Sequence, residues 1–302
     1  MRPGILTVAI LAVAVLAVSS SAPLIVYASA PALAIACWRN AFATAVLAPV
    51  AGATRRPEIT RLAGLAGQST ALVSLLAGVA LAVHFGTWVP SAKLTGPAAA
   101  TALVATQPVW QGLIALGQGR RLPGLVWLGI VLAVSGAILA TGADIGLSAG
   151  SAFGGDLLAL AGAVAGAGYV AFGERARSQL STTTYTTICY GVCALLLGVL
   201  CLVAGVPLHG YPATAWLAIL AMTAGPQLLG HSLFNFALRR VSATTISVLI
   251  LLEVPGATLI GWLWLGQVPR LVQVPGLVLL VLGVAVVVLG AARAPAPVRL
   301  EL

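Results

Sequence analysis

Short polar breaks cut this chain into ten apolar runs, each close to the ~20 residues that a helix needs to cross a lipid bilayer. The runs cover 5–27, 32–52, 66–88, 95–117, 123–142, 155–173, 183–205, 213–236, 243–266 and 273–291. Hydrocarbon offers backbone groups no water to bond, so such runs are confined to helices, which satisfy those groups internally. The two longest connections, 53–65 and 143–154, leave no room for an extramembrane domain. An all-α polytopic membrane protein with ten transmembrane helices is expected, with its chemistry inside the bilayer.

Composition removes the competing classes. Only 7% of residues are charged and 60% are hydrophobic, whereas a soluble domain carries about a quarter charged. The net charge of +9 is spread singly or in pairs between apolar runs, so no nucleic-acid partner is expected. Cys37, Cys189, Cys193 and Cys201 all lie in apolar stretches, and the one-turn spacing of Cys189 and Cys193 suits neither a disulfide nor a metal. No metal or cofactor is expected. Arg2, the first apolar run and Ser19-Ser20-Ser21-Ala22 imitate a cleaved leader, but the run continues to Tyr27 and is read as a retained first helix.

The ten runs fall into two similar halves. His84 is followed by Lys93 and Pro108, and His231 by Arg240 and Pro255, at the same separations. Leu116-Gly117-Gln118 recurs as Leu265-Gly266-Gln267, each just before an Arg (Arg121, Arg270), and Gly129 and Gly136 recur as Gly276 and Gly283. We therefore expect two five-helix repeats, 1–147 and 148–302. Five is odd, so equivalent positions land on opposite membrane faces and the repeats are inverted. Basic residues concentrate in cytoplasmic loops. With the N-terminus inside, Arg2, Arg55, Arg56, Arg61, Arg120, Arg121, Arg175, Arg177, Arg239, Arg240, Arg293 and Arg299 are cytoplasmic, while Lys93 and Arg270 are outside. Both exceptions are repeat partners of inside residues, as inversion requires. Both termini are thus expected in the cytoplasm.

Taken in order, several segments resemble the drug/metabolite transporter superfamily, in its EamA-type ten-helix form. They are residues 30–39 (Ala-Pro-Ala-Leu-Ala-Ile-Ala-Cys-Trp-Arg), His84-Phe85-Gly86-Thr87-Trp88, Gln107-Pro108-Val109-Trp110, and Gly230-His231-Ser232-Leu233-Phe234-Asn235 running on to Leu252-Glu253-Val254-Pro255. The resemblance spans essentially the whole chain. It implies a bacterial inner-membrane carrier, an exporter, of amino acids or related small amphipathic metabolites. The chain departs from the family at Glu253-Val254-Pro255, where Glu-Pro is common, and at Gln118 and Gln267, where an acid is common. It also lacks an Arg near the end of helix one, reading Leu24-Ile25-Val26-Tyr27. Mechanisms that use those boundary acids are thereby put in doubt.

Ionisable groups are costly in a bilayer, which makes the few present the functional candidates. Glu253, near the centre of helix nine, is the candidate to load and release a proton; packing as a neutral acid is the alternative. Arg39 in helix two could hold a substrate carboxylate, pair with Glu253 or snorkel to the interface. His84 and His231, matched in the repeats, suit a pair of gates, or else bridge helices as neutral rings. Pro108 and Pro255, matched in mid-membrane, free backbone carbonyls that only protein or a wet cavity can satisfy, so they suggest flexing, cavity-lining bends. Gln111, Asn235 and Tyr169 are further substrate-contact candidates. Asp156 is expected to cap helix six, and Glu174 to join a solvated cluster with Arg175 and Arg177.

Gly162 and Gly166 permit close helix approach, within the chain or to a second copy in a homodimer. The expected partners are a small-molecule substrate, membrane lipid and protons. Without a phosphate loop, zinc helix or nucleophile elbow, enzyme chemistry is not expected. An intramembrane enzyme acting on a lipid-linked substrate and a non-transporting scaffold are the alternatives to a carrier.

Overall fold

The computed structural model describes residues 4–95, 97–141 and 151–293. The expected repeat boundary after residue 147, and Arg2 and Arg299, lie outside that set. Among the described residues ten helices are long and apolar enough to cross a membrane: α1 (Ile5–Tyr27), α2 (Ala32–Thr54), α3 (Gln68–Trp88), α4 (Ala99–Gly117), α5 (Gly124–Thr141), α6 (Ala152–Arg177), α7 (Thr182–Val203), α8 (Ala213–Ala237), α9 (Ala243–Leu265) and α10 (Leu271–Arg293). Their ends agree with the apolar runs to within about one turn. Among the described residues there is no strand. The 53–65 connection folds into a short amphipathic helix, Arg56–Ala63, with no buried residue.

Glycine decides which helices touch. On α5 a Cβ at Gly129 would lie 2.8 Å from the carbonyl oxygen of Gly283 on α10, and one at Gly136 would lie 2.8 Å from that of Gly276. Higher numbers on one helix meet lower numbers on the other, so α5 and α10 run antiparallel in backbone contact. The same device joins α3 to α6: Gly162 meets Thr87, and Gly166 meets His84 and Gln107. Gly162 and Gly166 therefore serve packing within one chain. On α8, Gly230 meets Val18 of α1.

The main pairings map onto one another when helices one to five are exchanged with six to ten. The pairs α5–α10, α2–α7 and α4–α9 map onto themselves, α3–α6 onto α8–α1, α4–α6 onto α9–α1, and α3–α7 onto α8–α2.

Four of the helices are interrupted. Helix α4 breaks between Pro97–Val104 and Gln107–Gly117, immediately before Pro108, and α9 breaks between Ala243–Ile250 and Glu253–Leu265, immediately before Pro255. Tighter three-residue bonds bridge both gaps (Val109 N–H to Thr106 O at 2.9 Å, Val254 N–H to Leu251 O at 3.1 Å). The proline ring crowds the turn before it, which is why each break lies on the N-terminal side. Helix α1 is offset at Ser20, and α8 widens over Thr223–His231, around Pro226, into π-helical turns.

The outer surface is apolar, with Leu202, Val203 and Leu263 each more than 70% exposed. Lipid is the solvent that such side chains fit. Polar ties collect at one end of the bundle. The Arg61 guanidinium donates to Gln179 O at 3.0 Å, Arg120 pairs with Glu174 at 2.5 Å, and Arg239 donates to Arg177 O at 2.8 Å. Four connections, α2–α3, α4–α5, α6–α7 and α8–α9, thus share that end.

Two sequence expectations need correction. Asp156 lies in the second turn of the helix beginning at Ser151, where it accepts a hydrogen bond from Thr95 Oγ1 at the α3–α4 corner rather than capping α6. Glu174 is not merely solvated among Arg175 and Arg177. It pairs with Arg120 and accepts the N–H of Ala243 at 2.9 Å, which ties the start of α9. Arg177 is almost fully buried and donates to Asn235 O at 2.9 Å and to Leu180 O.

Candidate functional site

Several interior polar groups form a hydrogen-bonded thread along α8. Arg39, 4% exposed on α2, donates from Nε to Oε1 of Gln227 at 2.7 Å and from Nη1 to Ser21 Oγ at 3.3 Å. Gln227 is itself fully buried and gives its Nε2 to Asn40 Oδ1 at 3.0 Å, so its carbonyl is fixed toward the guanidinium. One face of Arg39 lies over the Phe85 ring, 5.4 Å from the centroid, in cation–π geometry. The widened turns of α8, with Pro226 beside Gln227, carry this amide inward; such turns are common at functional sites.

From Gln227 the thread runs toward the basic end. The Gln227 backbone carbonyl accepts from Ser232 Oγ at 3.2 Å, and that hydroxyl lies 3.2 Å from Tyr190 OH. Asn235 donates Nδ2 to Tyr169 OH at 2.8 Å and, at 3.5 Å, to Tyr190 OH. The backbone carbonyl of Asn235 then meets Arg177. A buried polar group left unpaired is expensive, which is why these side chains interlock.

The structure thus gathers Arg39, Tyr169 and Asn235 from the sequence candidates. His231 joins them with its ring edge-on to Tyr169, centroids 6.3 Å apart. His84 lies on α3 with Nδ1 2.8 Å from Gly162 O; a carbonyl only accepts, so Nδ1 carries the proton. Its ring stacks on Trp88 at 6.4 Å and neighbours Phe85 at 5.2 Å. His84 therefore bridges α3 to α6, while its repeat mate His231 rests on an aromatic ring.

Glu253 opens the second half of α9 and is half-buried, but among the described residues no ion pair joins it to Arg39. The alternative of an Arg39–Glu253 pair is not what this conformation holds. Pro108 begins the second half of α4, where Gln111 is buried with Oε1 lacking a hydrogen-bond partner. Pro255 lines an apolar groove with Val274, Val278 and Leu282 of α10, and no residue of the polar thread lines that groove.

Sequence reasoning missed Asn40, Gln227, Tyr190, Ser232 and Ser21. Uncharged polar residues in an apolar run carry no charge signal, and one cue alone was legible: Gly225-Pro226-Gln227 inside a span, a sign of broken helix.

A model described as the EamA-like transporter family matches residues 3–142 and again residues 153–289. The chain belongs to the EamA-like transporter family. It is accordingly an integral multi-pass membrane protein. Among curated proteins it is similar to "Uncharacterized transporter YyaM" of Bacillus subtilis (strain 168), 31% identical over 161 residues, or 52% of this chain. The chain spans about half the length of that relative, 50% of it. A solved structure described as "Crystal structure of protein" superposes with a TM-score of 0.77 at 22% identity, over 95% of this chain and 98% of that one. That likeness speaks for the fold of this EamA-like chain alone.

Proposed function

We propose that this EamA-like protein is a secondary carrier that moves a small metabolite across the bacterial inner membrane by alternating access. Its two five-helix repeats are inverted, and both termini are cytoplasmic. The supporting observations are the pair of matched breaks in α4 and α9 and, inside the bundle, a buried polar thread that starts at Arg39. Broken helices are tolerated at membrane depth where they line a binding region, and two related by the repeat supply one flexing element to each half. The antiparallel α5–α10 seam and the exchangeable helix pairings support inversion.

The family resemblance favours export of amino acids or related amphipathic compounds. Protons drive the cycle through Glu253, a carboxyl that among the described residues has no ion-pair partner in this conformation. Uptake of a mixed metabolite pool into proteoliposomes, with and without an imposed pH gradient, tests this by mass spectrometry. Gradient-dependent accumulation that vanishes in Glu253→Gln supports the proton role. Accumulation that ignores the gradient makes the protein a uniporter or exchanger and leaves Glu253 to packing.

A further inference from the structure

The guanidinium of Arg39 is nearly sealed from water and half used. Its Nε is committed to Gln227, Nη1 reaches Ser21 at the long distance of 3.3 Å, and Nη2 is buried with no hydrogen-bond partner. Among the described residues no carboxylate lies within ion-pair distance of it; the pair that forms there is Arg120 with Glu174, at the basic end. A buried cation without a counter-charge is costly to maintain, and neutral amides and a ring face compensate only part of that cost.

The geometry of the remaining edge is specific. With Nε occupied by Gln227, the side-on fork is closed; on the end-on edge Nη1 keeps only its long bond to Ser21, and the buried Nη2 has no partner in this conformation. Phe85 covers one flat face of the group, so a ligand approaches in the guanidinium plane. Two parallel N–H donors in a plane match the two oxygens of a carboxylate. One guanidinium neutralises one negative charge, which fits a carboxylate better than a phosphate dianion.

We infer that Arg39 is the carboxylate-binding group of this carrier, and that its substrates are small organic molecules bearing a free carboxylate. The inference rests on the carrier reading above and narrows its substrate class. Gln227 and Asn40 act as positioning residues: Asn40 accepts from the Gln227 amide, which points its carbonyl at Nε and thereby aims the end-on edge. The arrangement predicts that occupation by a carboxylate relieves the orphaned Nη2 and stabilises the fold.

Purified protein in detergent is challenged with benzoate, butyrate and phenylalanine, with the matched amides benzamide, butanamide and phenylalaninamide, and with phenyl phosphate. Thermal stabilisation and binding are read together. We expect carboxylates to stabilise the protein and amides not to. Arg39→Gln is expected to weaken carboxylate binding by roughly 30-fold or more, as loss of one partner of a buried charge pair does. Arg39→Lys keeps the charge but loses the fork and falls between.

Gln227→Glu is the sharper variant, because it supplies a permanent carboxylate beside Arg39. It should raise the melting temperature of the empty protein and abolish carboxylate binding together, whereas a purely structural Arg39 would change only stability. Equal effects of acids and amides, stabilisation by phenyl phosphate alone, binding untouched in Arg39→Gln, or no stabilisation by any carboxylate each overturn the assignment. Counterflow of the bound carboxylate in proteoliposomes separates the two readings. Binding at Arg39 without movement across the bilayer leaves the site standing and removes the carrier.

Discussion

Gly136 of α5 and Gly276 of α10 face one another so closely that a Cβ on Gly136 would meet the Gly276 carbonyl oxygen at 2.8 Å. Gly129 and Gly283 repeat the contact further along the same seam. These four glycines are the ones that recur between the two halves of the sequence. Lipid gives packed helices no hydrophobic drive toward each other, so close backbone approach carries the association. Gly136→Ala should therefore wedge the seam and cost about 1–3 kcal/mol in thermal or detergent unfolding. Gly124→Ala, on the same helix where a Cβ would meet open space, should leave the midpoint unchanged.

The breaks before Pro108 and Pro255 should matter for movement more than for stability. Replacing either with Ala restores a backbone N–H and permits a continuous helix, a gain of about 1 kcal/mol for one hydrogen bond. If bending is part of the cycle, straightening adds that cost to the barrier and slows transport about five-fold. The expected result is a higher melting temperature with a lower turnover in proteoliposomes. Faster transport in either variant would reject the bending role.

Glu58, on the short helix outside the membrane spans, accepts from Ser181 Oγ at 2.7 Å and from Ser181 N–H at 3.1 Å. Burial alone would raise its pKa; hydrogen bonds from Thr184 and Ser181, with the charge of Arg55, outweigh that and hold it below the ordinary carboxylate value. A depressed folded-state pKa contributes stability that is present above the unfolded value, about 4.3, and lost as pH falls through the folded one. The melting temperature should therefore drop as pH falls below about 5. Glu58→Gln should flatten that acid limb, and an unchanged limb would show that other carboxylates govern it.

Arg120 and Glu174 are not equivalent partners. The Arg120 side chain is 47% exposed and Glu174 17%, and exposed pairs contribute about 0–1 kcal/mol. Glu174 also takes the N–H of Ala243, which starts α9. Glu174→Ala should cost about 1–3 kcal/mol through that unpaired donor, and Arg120→Ala under about 1 kcal/mol. Comparing the two unfolding midpoints checks the asymmetry. Equal losses would mean that the ion pair, not the backbone bond, is what holds.

Most of the frame was legible in the residues. Hydrophobic length gave the ten helices, and the matched Pro108 and Pro255 marked two of the four interruptions, those in α4 and α9, because a proline acts on its own turn whatever surrounds it. The site was legible only in part, at Arg39, Tyr169 and Asn235. Arg39 stood out as a lone cation in an apolar run, whereas Gln227, Tyr190 and Asn40 looked like ordinary uncharged polar residues. The expected cap at Asp156 failed because α6 begins about a turn earlier, at Ser151, and a helix start cannot be placed that finely from composition.

What the sequence alone determined was the membrane class, the number of helices, the repeated pattern and two of the four places where helices break, before Pro108 and Pro255. These depend on hydropathy and local backbone sterics, which are properties of a residue and its near neighbours. The tertiary structure decided the partners. Arg39 lies 188 positions from Gln227, and whether it meets that amide, Glu253 or the interface depends on how α2 and α8 are rotated against each other. That rotation is set by glycine contacts and side-chain shape summed over several helices. No local pattern encodes it, and it leaves one buried guanidinium nitrogen unpaired at the start of the polar thread.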